Sequence, residues 1–281
     1  MRVSDLFIYP LKSARGIALQ NSTVEASGLP GDRRMMIVEP SGRFITQREM
    51  QDLAKLAVEP HENVMRLRMD GRSLDISPPA GRERLEVTIW KTPVNAAVAD
   101  EAANATLSEW LGRPVKLVFF DGLAARTTSA EWDASGSPVA FPDGFQLLVT
   151  TTGSLKALNA NLAAHGEGAV GMDRFRPNIV IDCDEAWPED RWAAIEIGGI
   201  RLDLVKPCSR CIMTTQDQLT GSRDVPNPMP AMGRIRMSAD RRVPGVLFGW
   251  NAVPRNEGTI AVGDAVTVIE HRPEGWALKR W

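Results

Sequence analysis

Three histidines, three cysteines and one tyrosine among 281 residues leave little material for several common chemistries. Any internal disulfide would leave one of Cys183, Cys208 and Cys211 over, so no disulfide framework is expected and a reducing compartment fits best. A structural zinc site needs four Cys or His ligands, but only Cys183, His61, His165 and His271 remain beside the close pair, and they are scattered. No stretch approaches the ~20 apolar residues that cross a bilayer. The opening MRVSDLFIYPLKSARG has neither the apolar region nor the cleavage site of a signal peptide, so a cytoplasmic protein without a membrane partner is expected. Excess charge is missing too: 33 Lys and Arg against 35 Asp and Glu give a net charge of −2. That balance excludes a nucleic-acid coat, and any basic site must be local. The patterns G-x-x-x-x-G-K-[ST], G-x-S-x-G and G-x-G-x-x-G are absent, which removes P-loop, serine-hydrolase and dinucleotide-binding readings.

What the chain does contain reads as a β-rich α+β fold. Met65, Leu67 and Met69 alternate with arginines and lead through Asp70-Gly71 to Leu74 and Ile76, a hairpin pattern. Met36 and Val38 lead through Pro40-Ser41-Gly42 to Phe44 and Thr46 as a second hairpin, and Leu85, Val87 and Ile89 make another strand. This spacing suits a small barrel or sandwich. From Asp100 the pattern changes: DEAANATLSEWLG has an acidic start, helical spacing of Leu107, Trp110 and Leu111, and Gly112 to end it. A second helix is expected over Ser154 to Ala164. Two later hairpins are expected, one turning at Gly198-Gly199 and one at Gly263-Asp264. Residues 121 to 144 and 222 to 246 read as long functional or mobile loops rather than core elements. A boundary near residues 91 to 99 divides the chain into units of 1–95 and 96–281.

Three segments carry candidate chemistry. Lys206-Pro207-Cys208-Ser209-Arg210-Cys211 places two thiols around an Arg after a strand, and Ile212, Thr214 and Thr215 favour an extended continuation. That disfavours a thioredoxin-like site, which needs its first Cys at a helix N-terminus. Two readings stay open: a thiolate ligand for a polarisable metal with forked donors beside it for an anion, or two buried small hydrophobic side chains. In Met172–Ile181, Pro177 favours an extended chain, which puts Arg174, Arg176 and Asn178 on one face, suited either to a phosphate or to a surface ion-pair ladder. Lys12-Ser13-Ala14-Arg15-Gly16 follows the strand Leu6–Tyr9 and can form an anion cradle, with Asp32-Arg33-Arg34 adding cations.

In order along the chain, YPLKSARG (9–16), GDRRMMIV (31–38), FRPNIVI (175–181), PCSRCIMTT (207–215) and FGWNAVPRNEGTIAVGD (248–264) resemble the MOSC-domain proteins. The resemblance is to members with an N-terminal β-barrel domain, such as the mitochondrial amidoxime reducing component and its bacterial relatives. It implies a small N-terminal barrel followed by a MOSC β-barrel domain with a few helices. It also implies a molybdenum cofactor, a pterin dithiolene with a phosphate tail, whose metal takes one protein cysteinate. By the same resemblance Cys211 is that ligand, while Lys12, Ser13, Arg33, Arg176, Asn178, Ser209 and Arg210 match positions that hold the pterin and its phosphate. The chain departs from the pattern where TTQDQLTG replaces TTVDPDTG, and where Ala14 stands in place of a frequent Cys.

The activity implied is an oxidoreductase that removes oxygen from small N-hydroxylated compounds such as amidoximes or hydroxylated nucleobases. Three cysteines cannot hold a plant-type iron–sulfur cluster, so electrons are expected from a separate ferredoxin- or flavin-reductase-type protein. A cofactor carrier or persulfide-bearing module without turnover is the alternative. Pyridoxal phosphate ranks lower, since Lys12 is the only lysine in these motifs apart from Lys206 at the edge of the thiol segment.

Overall fold

Apolar alternation on the β-like runs resolves into paired strands in the computed structural model, which describes residues 1–61, 64–79 and 83–279. The fold is β-rich with three α-helices among the described residues. An eight-stranded sheet runs, in spatial order, Val266–His271, Trp192–Ile197, Ile200–Ser209, Leu247–Pro254, Leu147–Thr151, Ile179–Asp182, Arg2–Ile8 and Ile17–Leu19. A four-stranded sheet orders Met35–Val38, Lys116–Phe119, Thr92–Val98 and Arg84–Ile89, and a three-stranded sheet holds Ala57–His61, Val64–Met69 and Arg72–Ile76. None of the described helices is long and apolar enough to cross a membrane.

Local chemistry explains most of these elements. Asp100 caps the helix Glu101–Leu111 by accepting from the Ala103 N–H at 2.7 Å, and Gly112 closes it at φ +66°. Asp70 and Gly71, both at positive φ, make the tight turn between Val64–Met69 and Arg72–Ile76. The expected helix near residue 154 spans Thr152–Ala164 and is capped by the Thr151 hydroxyl. The strands Ile195 and Leu202 belong to pair across Gly198-Gly199 as expected.

Other expectations fail for identifiable reasons. Ile260 and Val266 do not share a hairpin: Gly258–Ala261 pairs with Asn21–Val24, while Val266–His271 pairs with Trp192–Ile197. The chain between them is held by the first strand instead, with Gly263 N–H donating to the Val3 carbonyl. Phe44 meets Val38 through a single bridge rather than a full second strand. Within the predicted loop 222–246 lies a short helix, Met229–Ile235, whose Ala231 and Met232 are core residues packed with Leu158, Phe175 and Phe248. Pro228, Pro230 and Gly233 hide it from propensity reasoning.

The first strand joins the second half of the chain. Arg2–Ile8 pairs antiparallel with Ile179–Asp182, and Thr92–Val98 is paired on both sides. The segment after the first strand lies against residues 33–35: Lys12 N–H donates to Met35 O, Met35 N–H to Pro10 O, and Arg33 N–H to Tyr9 O. These bonds set Lys12 and Ser13 beside Arg33 where the sheets meet.

A cationic cavity around a free thiol

A cavity of about 350 Å³ opens where the sheets meet. Lys12, Ser13, Arg33, Arg176 and Asn178 all line it, and so do Ser209, Arg210 and Cys211. Segments separated by up to about 200 residues are thus brought together. Five cationic side chains, Lys12, Arg33, Arg48, Arg176 and Arg210, face this space among the described residues, against one carboxylate, Asp143.

Three of the predicted site residues have left-handed backbone: Ser13 at φ +67°, Arg33 at +43° and Arg176 at +54°. With Trp90, four of the six described non-glycine residues at positive φ line this one cavity. Such conformations are unfavourable for side chains with a Cβ and persist where the surrounding structure enforces them.

At one end, the Arg33 and Arg176 guanidinium groups lie 4.3 and 4.2 Å from the centre of the Tyr9 ring. Burial pushes the Tyr9 phenol up to about 12 despite those two cations, so it is a neutral donor to the Pro177 carbonyl at 3.1 Å. Arg33 is pinned by Asp32, by Asn178 Oδ1 at 3.0 Å and by the Arg176 carbonyl. Asn178 also donates to Phe7 O and accepts from the Leu148 N–H, so its amide orients its neighbours. Lys12 donates to Phe141 O at 2.9 Å and Asp143 at 2.5 Å; burial lowers its pKa, against the opposing pull of Asp143. Arg176 makes one side-chain hydrogen bond, to Gln218 Oε1 at 3.1 Å. Burial holds its pKa below the ordinary guanidinium value, and the nearby Arg33 and Arg210 push the same way.

The other end holds the thiols. Cys208 is the last residue but one of the strand Ile200–Ser209, and Cys211 precedes a 3-10 turn, Ile212–Thr215, in place of the expected extended run. The Thr214 and Thr215 hydroxyls cause this by donating back to the carbonyls of Cys211 and Ile212 at 3.1 and 2.8 Å. Arg210 donates to Cys208 Sγ at 2.9 Å and Phe175 O at 2.7 Å, while its Nε is buried without a partner. Ser209 donates to Pro244 O. All three cysteines are free, and the described residues contain no cluster of three or more His, Cys, Asp or Glu able to hold a metal.

The extended-face reading of Arg174 is corrected by a 3-10 turn at Met172–Phe175 followed by the left-handed Arg176. Arg174 points away from the cavity and donates to Thr214 O at 2.9 Å, bracing the Cys211 segment from behind. Sequence reasoning missed Arg48, Asp143 and Trp90. Burial lowers the Arg48 pKa, but contact with the Cys211 thiol and with Asp143 more than offsets it. Nothing in Thr46-Gln47-Arg48 marks this role in the sequence.

Fold and cavity together define a β-rich protein with a cationic cleft that carries free thiols. The chain belongs to the MOSC family: the MOSC domain model matches residues 136–267 and the MOSC N-terminal beta barrel domain model matches residues 1–114. Mitochondrial amidoxime-reducing component 1 of Homo sapiens is 30% identical over 294 residues, covering 95% of this chain and 82% of that protein. The Mus musculus component 1 is 29% identical at the same coverage, and the Homo sapiens component 2 is 29% identical over 94% of this chain and 82% of its own length.

Proposed function

We propose that the protein is a molybdenum-cofactor-dependent reductase of small N-hydroxylated compounds, supplied with electrons by a separate protein. The observation that carries this reading is the meeting of five cations and a free thiol in one cavity, built from segments otherwise distant in sequence. Similarity to proteins named amidoxime-reducing components supports the substrate class.

The donor set fits such a group. Arg210 Nε is buried without an acceptor, and Arg176 is a buried cation with one hydrogen bond. Both are costly unless an anion with several acceptor oxygens lies opposite. Cys211 would hold the metal; Ser13, Arg33, Arg176, Ser209 and Arg210 would hold the pterin and its phosphate. When bound, the group supplies two-electron removal of oxygen from nitrogen. Lys12, paired with Asp143, and Asn178, which aims Arg33, would complete the same wall of the cofactor site.

The carrier reading keeps one observation in its favour: Arg210 fixes Cys208, a second sulfur, inside the same cavity. One experiment separates the two. Protein from a host that makes the cofactor should carry about one molybdenum per chain on the one-thiolate reading. With a competent donor it should reduce an amidoxime, and Cys211→Ala should remove both metal and activity while Cys208→Ala keeps them. Activity that follows Cys208, or bound cofactor without reduction, would refute the proposal.

A further inference from the structure

Trp90 is out of place by every local rule. It occupies the two-residue turn Trp90-Lys91 that joins Arg84–Ile89 to Thr92–Val98, where Ile89 pairs with Thr92. Its backbone sits at φ +57°, a conformation that turns reserve for Asn, Asp or Gly. Its indole is 54% exposed yet lines the cavity. Neither the backbone nor the exposure stabilises the fold, so a local structural role does not explain the residue. Its orientation is nevertheless fixed. Phe44 meets the ring edge-on at 5.6 Å, and the Arg48 guanidinium lies over it at 4.8 Å. Arg48 also donates to Asp143 at 3.4 Å and lines the same cavity as Cys211. The ring is therefore an apolar plate, flanked by Phe44 and Arg48, on the wall of the cavity that also holds the Cys211 thiol.

We infer that Trp90, backed by Arg48, is a stacking platform that selects N-hydroxylated substrates whose reactive nitrogen is carried on a flat conjugated ring. This rests on the reductase reading above. An indole already covered on one side by a guanidinium offers its open surface to a planar π-system, and such stacking tolerates variation in the ring while rejecting a lone alkyl group. An amidoxime on a methyl group gains nothing from the plate.

The test compares benzamidoxime with acetamidoxime, the same N-hydroxylated group on a ring and on a methyl. In cofactor-loaded protein, Trp90→Leu is expected to lower the ratio of kcat/KM for benzamidoxime over acetamidoxime by about tenfold, the effect of removing one aromatic stacking partner, expressed in KM. Trp90→Phe restores most of it. Trp90→Asn removes the ring while suiting the turn, so its loss of preference cannot be assigned to misfolding. Equilibrium binding to oxidised protein without donor gives a second readout, in which benzamidoxime loses its advantage by the same factor. An unchanged ratio in Trp90→Leu and Trp90→Asn would overturn the inference and leave the reductase reading standing. If the wild-type protein reduces neither compound, that reading fails, and equal binding of the two compounds would then sink the platform as well.

Discussion

Replacing Arg176 by Met keeps a side chain of similar length against Tyr9 and removes the charge, and the structure predicts two effects of different size. In the ligand-free protein, the lost hydrogen bond to Gln218 costs about 1.5 to 3 kcal/mol, as usual for a charged donor. Removing a buried guanidinium beside Arg33 and Arg210 returns a desolvation and repulsion cost of similar size. The ligand-free melting temperature should therefore move by no more than a few degrees. Cofactor retention has no such compensation. Loss of one charge-assisted contact to a phosphate, again about 1.5 to 3 kcal/mol, weakens it roughly ten- to 150-fold. Molybdenum and pterin per chain after extended dialysis, read beside calorimetric melting of the ligand-free protein, measure the two effects separately. Wild-type cofactor content combined with a large fall in melting temperature would refute the reasoning, because Arg176 would then be a strut for the Gln218 loop.

Two further substitutions probe the scaffold. Glu189 is fully buried, and burial raises its carboxyl to about 7 from an ordinary 4.5. Between those values the unfolded chain gives up a proton that the folded one keeps, so this group's contribution falls as pH rises, by about 3 kcal/mol in all. Glu189→Gln should thus be the more stable form in urea unfolding at pH 8 and lose that advantage near pH 4.5; a pH-independent difference would contradict the assignment. Arg126 donates to the carbonyls of Ala140, Pro142 and Asp143, holding the loop that presents Asp143 to Lys12. Arg126→Met should cost about 3 kcal/mol and speed amide exchange over residues 140–144, and unaltered exchange there would count against this role.

The regular elements were legible because their signals are local. Asp100 and Gly112 bracket a helix and Asp70-Gly71 makes a turn whatever the rest of the chain does. Strand partners were less so: Ile260 and Val266 flank a turn signal, but each found a better edge elsewhere. The 3-10 turn after Cys211 escaped because β-propensity counts the threonine methyls and ignores hydroxyls that bond back to the chain. Motif resemblance found the segments but not the work each side chain does. Asn178 and Lys12 reach the cavity already committed to protein partners, and Arg48 and Trp90 came from turns without a motif.

The departures from the family pattern are informative in the same way. Gln216 and Gln218 stand where a Val and a Pro are common, which by propensity alone would only loosen a loop. In the fold both are buried. Gln216 donates to Gln47 Oε1, Gln47 donates to the Ser13 carbonyl, and Gln218 accepts from Arg176. Three amides, with Gln47 as the bridge to Ser13, thus join the thiol segment to two left-handed residues, Ser13 and Arg176. Left-handed backbone costs about 1 to 2 kcal/mol per residue, and it endures only where neighbours fix it. The glutamines supply that fixation. The loop's lost proline is therefore replaced by a tether: stiffness within the loop is exchanged for bonds from the loop to the residues that face the cavity.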